Sequence, residues 1–274
     1  MLARYLLLVK RDFRDSHMNI FYYLSQIFTI GGTLLVYWYT SKAFSSSVNS
    51  ELTLFKGSYF DFILIGELTF ILPMIFYNGP LDVIRKLVAE GTLESLIMTG
   101  ERVQKSFLIH MLSTIPSQLT FLLFYLVIAY FIFGFSVPLQ FVFLAVLINL
   151  LALPLFYGLG MVASSIFLIT GRGSGVISQL AAFLSILSGA YFPLSVLPTW
   201  LSYWGSKLSP FQLLMESTRA TFNGELMLTN FALLSVPFII WSLLLFPLGY
   251  YLTGLAFESI RKRGSIYPRT KSII

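Results

Sequence analysis

Residues 139–169 read LQFVFLAVLINLLALPLFYGLGMVASSIFLI, an apolar run without a single charged side chain. A helix needs about 20 apolar residues to cross the roughly 30 Å hydrocarbon core of a bilayer, so this run is long enough to span one. Pro154 lies inside the run and predicts a kink or a local unwinding of the helix. The run therefore predicts a membrane-spanning helix rather than the core of a soluble domain.

Five more apolar stretches occur, at 20–40, 58–78, 106–133, 176–192 and 229–256. The composition agrees with them, because 57% of the 274 residues are hydrophobic and only 11% are charged. A soluble domain has about 25% charged residues. We therefore predict an all-α polytopic membrane protein with six transmembrane helices within residues 20–256. An ordinary soluble enzyme and a large extramembrane domain are both excluded.

The basic residues predict the orientation of these helices. If the N-terminus is cytoplasmic, 14 of the 18 Lys and Arg residues lie in the cytoplasmic segments 1–19, 79–105, 170–175 and 257–274. The positive-inside rule favours this orientation, with both termini cytoplasmic and 257–274 forming a basic tail. We expect a multi-pass protein of the plasma (inner) membrane. Its net charge of +6 then favours contact with anionic membrane lipid and not with nucleic acid.

The chain lacks the residues that most enzymes use. It has no cysteine and only two histidines, His17 and His110, which disfavours a metal centre. The glycine-rich segment 171–175 lacks the lysine of a phosphate-binding loop, so we expect no ATP hydrolysis on this chain. We predict no catalytic site, no metal and no cofactor bound to this chain.

Two acidic residues lie inside a predicted span, Asp61 and Glu67. They are six residues apart and therefore about 120° apart on a helix, so they do not form a shared carboxylate pair. A carboxylate at the depth of Glu67 is costly unless it faces a polar cavity or a partner. Both residues are candidates for lining a transport pathway. They also support an alternative function, an ion-coupled secondary transporter or channel.

The inner connection between the second and third spans is amphipathic. Apolar residues recur at helical spacing, which predicts a helix at about 84–99, with Asp82 capping its first turn. Glu90 and Gly91 predict a hinge before a short second helix at 92–98. Such a helix can lie on the lipid surface or insert into a groove of a cytoplasmic partner, and the pattern alone favours neither.

The sequence of this connection resembles that of a known family. Residues 90–96, EGTLESL, followed by Met98-Thr99-Gly100, are similar to a segment of ABC transporter permeases of the type-2 export class. A second match lies after the fifth span, where residues 188–201 read SGAYFPLSVLPTWL. It continues into Pro210-Phe211 and 216–219, although Ser209 stands where asparagine is common and Gly100 where proline often follows. The resemblance extends over essentially the whole chain.

The resemblance implies a coupling helix that docks into a separate ABC ATPase subunit, present in two copies, which binds ATP and Mg. The coupling residues carried over are Glu90, Gly91, Thr92, Leu93, Glu94, Ser95 and Leu96. It also implies an interfacial amphipathic helix within residues 1–19, at Tyr5 to Asp15. Outer re-entrant helices at 193–228 would line the exit. The residues assigned to this exit segment are Phe192, Pro193, Pro198, Trp200 and Pro210.

Two permease subunits, as a homodimer or with a close paralogue, would enclose the substrate path between spans one, two and five. The implied function is the permease of an ATP-driven exporter, which moves an amphiphilic substrate out of the cytoplasm or the inner leaflet. A drug, a peptide, a lipid and a lipid-linked glycan are all compatible with this sequence. A polytopic scaffold or assembly factor is a third interpretation.

Overall fold

The computed structural model describes most of the hydrophobic chain. The described residues are 6–7, 9–10, 20–48, 58–98, 103–135, 139–170, 179, 181–183, 185, 187–191, 198–200, 203, 210–222 and 228–263. Within them every bounded element is a helix, and these are α1 (Ile20–Val48), α2 (Tyr59–Ala89), α3 (Leu93–Met98), α4 (Val103–Phe133), α5 (Leu139–Thr170), α6 (Pro210–Phe222) and α7 (Leu228–Arg263). The predicted all-α fold is confirmed for this part of the chain.

Five of these helices are long, and they coincide with five of the six predicted spans. Three described segments are long and apolar enough to cross a membrane, namely Tyr59–Ala89, Val142–Thr170 and Ser235–Lys262, and Leu119–Phe133 is a shorter apolar helix. Of the predicted fifth span, residues 179, 181–183, 185 and 187 are helical. The count of six spans therefore stays a prediction.

Prolines do not end the helices in which they occur. Pro154 lies inside α5, which is assigned as one helix from Leu139 to Thr170, and Pro73 and Pro80 lie inside α2. A proline removes one backbone donor, but buried apolar residues on both sides keep the helix packed. Leu81 and Ile84, which follow Pro80, are 1% and 0% exposed.

This continuity corrects one detail of the prediction. Asp82 does not cap a new helix, because α2 runs on without a break to Ala89. Its carboxylate instead accepts a hydrogen bond from Nη1 of Arg85, one turn further on, at 3.3 Å. The helix predicted at about 84–99 is divided between the end of α2 and the separate short helix α3.

The chain forms two compact units. The first comprises Met1–Leu72, Ser113–Leu151 and Ala182–Pro237. Its core is built where α1, α2 and α4 meet, around the buried residues Ile30, Leu34, Phe60, Leu64, Ile65, Tyr125, Ala129 and Phe135. Aromatic rings complete it, since Trp38 packs edge-on against Phe60 at 5.3 Å between ring centroids.

The second unit comprises Pro73–Leu112, Ala152–Ala181 and Phe238–Ile274. Glycines let its helices approach each other closely. A Cβ on Gly158 would lie 2.6 Å from the backbone carbonyl carbon of Leu245, and a Cβ on Gly160 would collide with the carbonyl oxygen of Tyr77. Two α5 glycines thus bring α7 and α2 into backbone contact with α5, an arrangement that a larger side chain would not permit.

Candidate functional site

The segment that follows α2 turns sharply at Gly91. Its φ is +64°, a left-handed conformation that favours glycine. The backbone N–H of Thr92 donates to the carbonyl oxygen of Leu87 at 3.0 Å, and that of Gly91 donates to Val88 at 3.1 Å. These two bonds form a Schellman motif, which satisfies the last carbonyls of α2. The glycine of the EGT sequence is therefore required by the backbone geometry.

Helix α3 is anchored by one face only. Leu93 is fully buried and Ile97 is 6% exposed, and both pack with Ile84 of α2, Leu168 of α5 and residues of α7. Those α7 residues are Ala256, Phe257 and Ile260. Leu96 lies in the same short helix. The anchored helix therefore has a fixed place in the second unit.

Four other side chains of this segment face outward. Glu90, Thr92, Glu94 and Ser95 are exposed, as is the Gly91 backbone. The hydroxyl of Ser95 donates to the carbonyl oxygen of Thr92 at 2.8 Å, which closes the start of α3. The Glu90 carboxylate is thus displayed on the turn and the Glu94 carboxylate on α3, a helix that packs against three others through its buried residues. Such a surface is suited to docking against a partner protein.

A second constellation lies in the first unit, at the turn formed by residues 188–191. Gly189 has a φ of +80°, and Ser188, Gly189 and Ala190 are buried. Gly66 of α2 lies directly against this turn, because a Cβ at Gly66 would collide with the carbonyl oxygen of Ala190. The close approach places Tyr191 beside Glu67, the residue that follows Gly66.

Two outer contacts hold the same turn. The hydroxyl of Tyr59 donates to the carbonyl oxygen of Tyr191 at 3.0 Å. Nη2 of Arg219, in the last turn of α6, donates to the carbonyl oxygen of Ala190 at 3.3 Å. The guanidinium of Arg219 also lies over the ring of Phe62, 3.5 Å from its centroid. Residues 188–191 (SGAY) and residues 216–219 (ESTR) are 25 residues or more apart in the sequence. The bond from Arg219 to Ala190 brings them into contact.

The charge of Arg219 is held in a poorly solvated place. Burial lowers the pKa of its guanidinium to about 9, while the nearby carboxylate of Glu216 favours the charged form. Glu216 in turn accepts a hydrogen bond from Nε2 of Gln212 at 2.7 Å. Because a pKa of about 9 is above neutral pH, Arg219 is positively charged under physiological conditions.

Glu67 is bound by two tyrosines from different parts of the chain. The hydroxyls of Tyr37 in α1 and of Tyr191 each donate to Oε2 of Glu67 at 3.1 Å. Tyr125 of α4 belongs to the core cluster against which Tyr37 packs. The sequence marked Glu67 as needing a polar partner. It did not identify Tyr37 and Tyr125, because nothing local distinguishes them from the other tyrosines of the apolar helices.

Asp61, the second candidate pathway residue, is engaged at the start of α2. Its Oδ2 accepts hydrogen bonds from the backbone N–H of Ser58 at 2.9 Å and from the Ser58 hydroxyl at 2.7 Å. The hydroxyl oxygen of Ser58 accepts from the N–H of Asp61 at 3.2 Å. This reciprocal pair is a capping box. Asp61 and Glu67 have no common partner among the described residues.

The candidate exit residues are described in part. Phe192 and Pro193 lie outside the described residues, as do most of residues 1–19 and the glycine-rich segment 171–175. Pro198 is exposed and Trp200 is 65% exposed. Pro210 is the first residue of α6, a position where its fixed φ suits a helix start. Phe211, which follows it, is fully buried and packs against Phe70 at 5.7 Å between ring centroids.

A family model described as ABC-2 type transporter matches residues 3–223, a range that includes both constellations. No curated protein matches the chain at a significant level.

Proposed function

The chain belongs to the ABC-2 type transporter family, and on that premise we propose that it is the permease subunit of an ATP-driven exporter. Membership supports an ABC transporter permease, a membrane subunit that is generally not catalytic and that associates with an ABC ATPase subunit. The proposal adds export as the direction of transport, an amphiphile as the substrate, and two copies of each kind of subunit.

The observation that carries the proposal is the exposed acidic face of residues 90–96. Glu90 and Glu94 are displayed on a segment whose Leu93 is fully buried. A docking helix has to be rigidly attached to the transmembrane helices, since otherwise the push of a partner would be lost in local movement. Leu93 and Ile97 provide this attachment through their contacts with α2, α5 and α7.

The mechanism follows from this attachment. ATP-driven closure of the ATPase dimer presses on residues 90–96. These residues directly follow α2, which is one helix from Tyr59 to Ala89 and carries Glu67. The transmembrane helices then tilt, and the pathway opens toward the outer side. For ATP energy to move the substrate, the inward state must bind the substrate better than the outward state does. ATP and Mg²⁺ act on the partner subunit, and this chain contributes the pathway and the docking surface.

The test is reconstitution with the ATPase encoded beside this permease. The two proteins should co-purify, and candidate amphiphiles should stimulate ATP hydrolysis in proteoliposomes. Glu94→Lys should preserve the folded permease and reduce substrate-stimulated ATP hydrolysis by about tenfold or more, because a charge reversal across a docking surface costs at least about 1.4 kcal/mol. Glu258→Lys makes the same charge change at an exposed position of α7 and serves as the control.

Unchanged coupling in Glu94→Lys, with normal expression, would contradict the assignment of the docking surface. Uptake that needs an ion gradient and no ATPase would instead favour the secondary transporter. The structure offers little support to that alternative, because the Asp61 carboxylate is occupied by Ser58. Glu67 would then have to relay ions without a second carboxylate nearby among the described residues.

A further inference from the structure

Glu67 places a carboxyl group inside a predicted span, in the part of the chain that the structure describes. Its contacts there are two tyrosine hydroxyls, and none is with a lysine or an arginine. Arg219 of the same unit is engaged with Ala190 and Phe62. A carboxylate inside a predicted span is expensive unless a cation or several donors compensate it. A bound cation would compensate this carboxyl group further, beside the two hydroxyls that donate to it.

The hydrogen bonds of Glu67 leave room for such a group. Both tyrosines donate to Oε2, so Oε1 has no hydrogen bond to any described residue. The two oxygens of Glu67 therefore differ, because Oε2 accepts two hydrogen bonds and Oε1 accepts none from the described residues. Both oxygens of a carboxylate can accept hydrogen bonds, so Oε1 can accept one from a bound ligand.

Tyr125 adds a second and independent observation. Its side chain is 3% exposed, and its hydroxyl has no hydrogen-bond partner among the described residues. It belongs to the core cluster against which Tyr37, a partner of Glu67, packs. A buried hydroxyl without a partner is costly by about 1–3 kcal/mol, so a group that is absent from the free chain is expected to meet it.

The walls of the site are aromatic. The rings of Tyr37 and Tyr191 lie 6.4 Å apart and are tilted by 52°. Aromatic faces beside a carboxylate attract organic cations, through the ring quadrupole and through direct charge attraction. A divalent metal is a poorer match, because Mg²⁺ and Ca²⁺ require six or more oxygen ligands and Glu67 supplies the one carboxylate found here among the described residues.

We propose that Tyr37, Glu67, Tyr125 and Tyr191 bind the positively charged group of an organic cation, and that cationic amphiphiles are the class of substrate the permease exports. The Glu67 carboxylate supplies the charge, and the tyrosine rings surround the cation. That the bound cation is a transport substrate rests on the proposed function. The binding of the cation at this site does not depend on that function.

The test uses the full chain, without the ATPase, in nanodiscs of zwitterionic phosphatidylcholine. The probes are tetraphenylphosphonium and tetraphenylborate, which have nearly the same shape and opposite charge. After the partitioning of each probe into empty nanodiscs is subtracted, equilibrium dialysis should detect saturable binding of the cation to the chain and none of the anion. Glu67→Gln should weaken cation binding by about tenfold or more, because it removes the charge and keeps an oxygen acceptor for the two tyrosines.

Two further variants protect this result. Glu258→Gln removes one negative charge at an exposed position of α7 and should leave binding unchanged. Glu67→Asp keeps the charge on a shorter side chain and should bind the cation more tightly than Glu67→Gln does. Equal cation binding by the wild type and Glu67→Gln, or equal affinity for both probes, would overturn the proposal.

The outcome also separates the two proposals. Binding of tetraphenylphosphonium without ATP-driven transport by the reconstituted complex would support this site and count against the exporter. ATP-driven transport of neutral amphiphiles, together with no cation binding, would support the exporter and overturn this inference.

Discussion

Replacing Gly66 by alanine tests whether the turn at residues 188–191 is packed as described. The new Cβ would collide with the carbonyl oxygen of Ala190 and would lie 3.0 Å from its carbonyl carbon and 3.2 Å from its Cα. Ordinary contacts of a Cβ lie at 3.4–4 Å, so α2 and the turn would have to separate by at least a few tenths of an ångström. The obstacle is backbone, which cannot rotate out of the way as a side chain can.

The magnitude follows from two opposed effects. Overpacking of this kind costs about 1–3 kcal/mol, and the rigidity of the obstacle places Gly66→Ala at the upper end. The gain in helix propensity from glycine to alanine returns about 1 kcal/mol. A net loss of about 2 kcal/mol lowers the midpoint of thermal unfolding by about 4–8 °C. Separation of the turn should also weaken the bond from Tyr191 to Glu67, and with it the binding of tetraphenylphosphonium.

The assay is thermal unfolding of the purified chain in detergent. Unfolding is measured as the loss of the monodisperse peak in size-exclusion chromatography. Gly31→Ala is the matched control, because it is also within a helix and a Cβ there would meet nothing within 4 Å. Gly31→Ala should be neutral or slightly stabilising. If Gly66→Ala is as stable as Gly31→Ala, the turn is not packed against α2 and the assembly of the Glu67 site is refuted.

Three other changes test the remaining contacts. Leu93→Ala should destabilise the second unit by about 2–5 kcal/mol in thermal unfolding and should reduce substrate-stimulated ATP hydrolysis. Leu255→Ala, at a 42% exposed position, should change little in either assay. Equal effects of the two changes would contradict the anchoring of α3. Arg219→Lys should lower stability by about 1–2 kcal/mol in the same unfolding assay, because an ammonium cannot both stack on an aromatic ring and reach the turn; an unchanged midpoint would count against that contact. Deleting residues 198–210 should reduce export in proteoliposomes more than it reduces co-purification with the ATPase, and normal export would remove the exit role of this segment.

The docking segment was largely predictable because its signals are local. Glu90 and Gly91 marked a hinge, and the structure has a turn there with Gly91 at positive φ. The predicted short helix at 92–98 corresponds to Leu93–Met98. The cap assigned to Asp82 was wrong, because Gly79 and Pro80 suggest a helix end locally. The burial of Leu81 and Ile84 against neighbouring helices outweighs that local preference.

Of the Glu67 site, the sequence predicted Glu67 itself and none of its partners. A carboxylate in an apolar stretch requires a compensating group, and this identified Glu67 without identifying its partners. Tyr37 and Tyr191 lie 30 and 124 residues away in the sequence. No periodicity connects them, and the chain has 15 tyrosines from which to choose.

The amino-acid sequence was enough to identify a helical membrane protein of the ABC-2 type and to predict which side is cytoplasmic. Hydrophobic length, the distribution of charge and short motifs are properties of neighbouring residues, so they can be read without the fold. The contact of Gly66 with the Ala190 turn, and the bonds of Tyr37 and Tyr191 to one oxygen of Glu67, became known from the folded chain. These contacts depend on how closely separate helices approach, and that distance is set by packing across the whole unit.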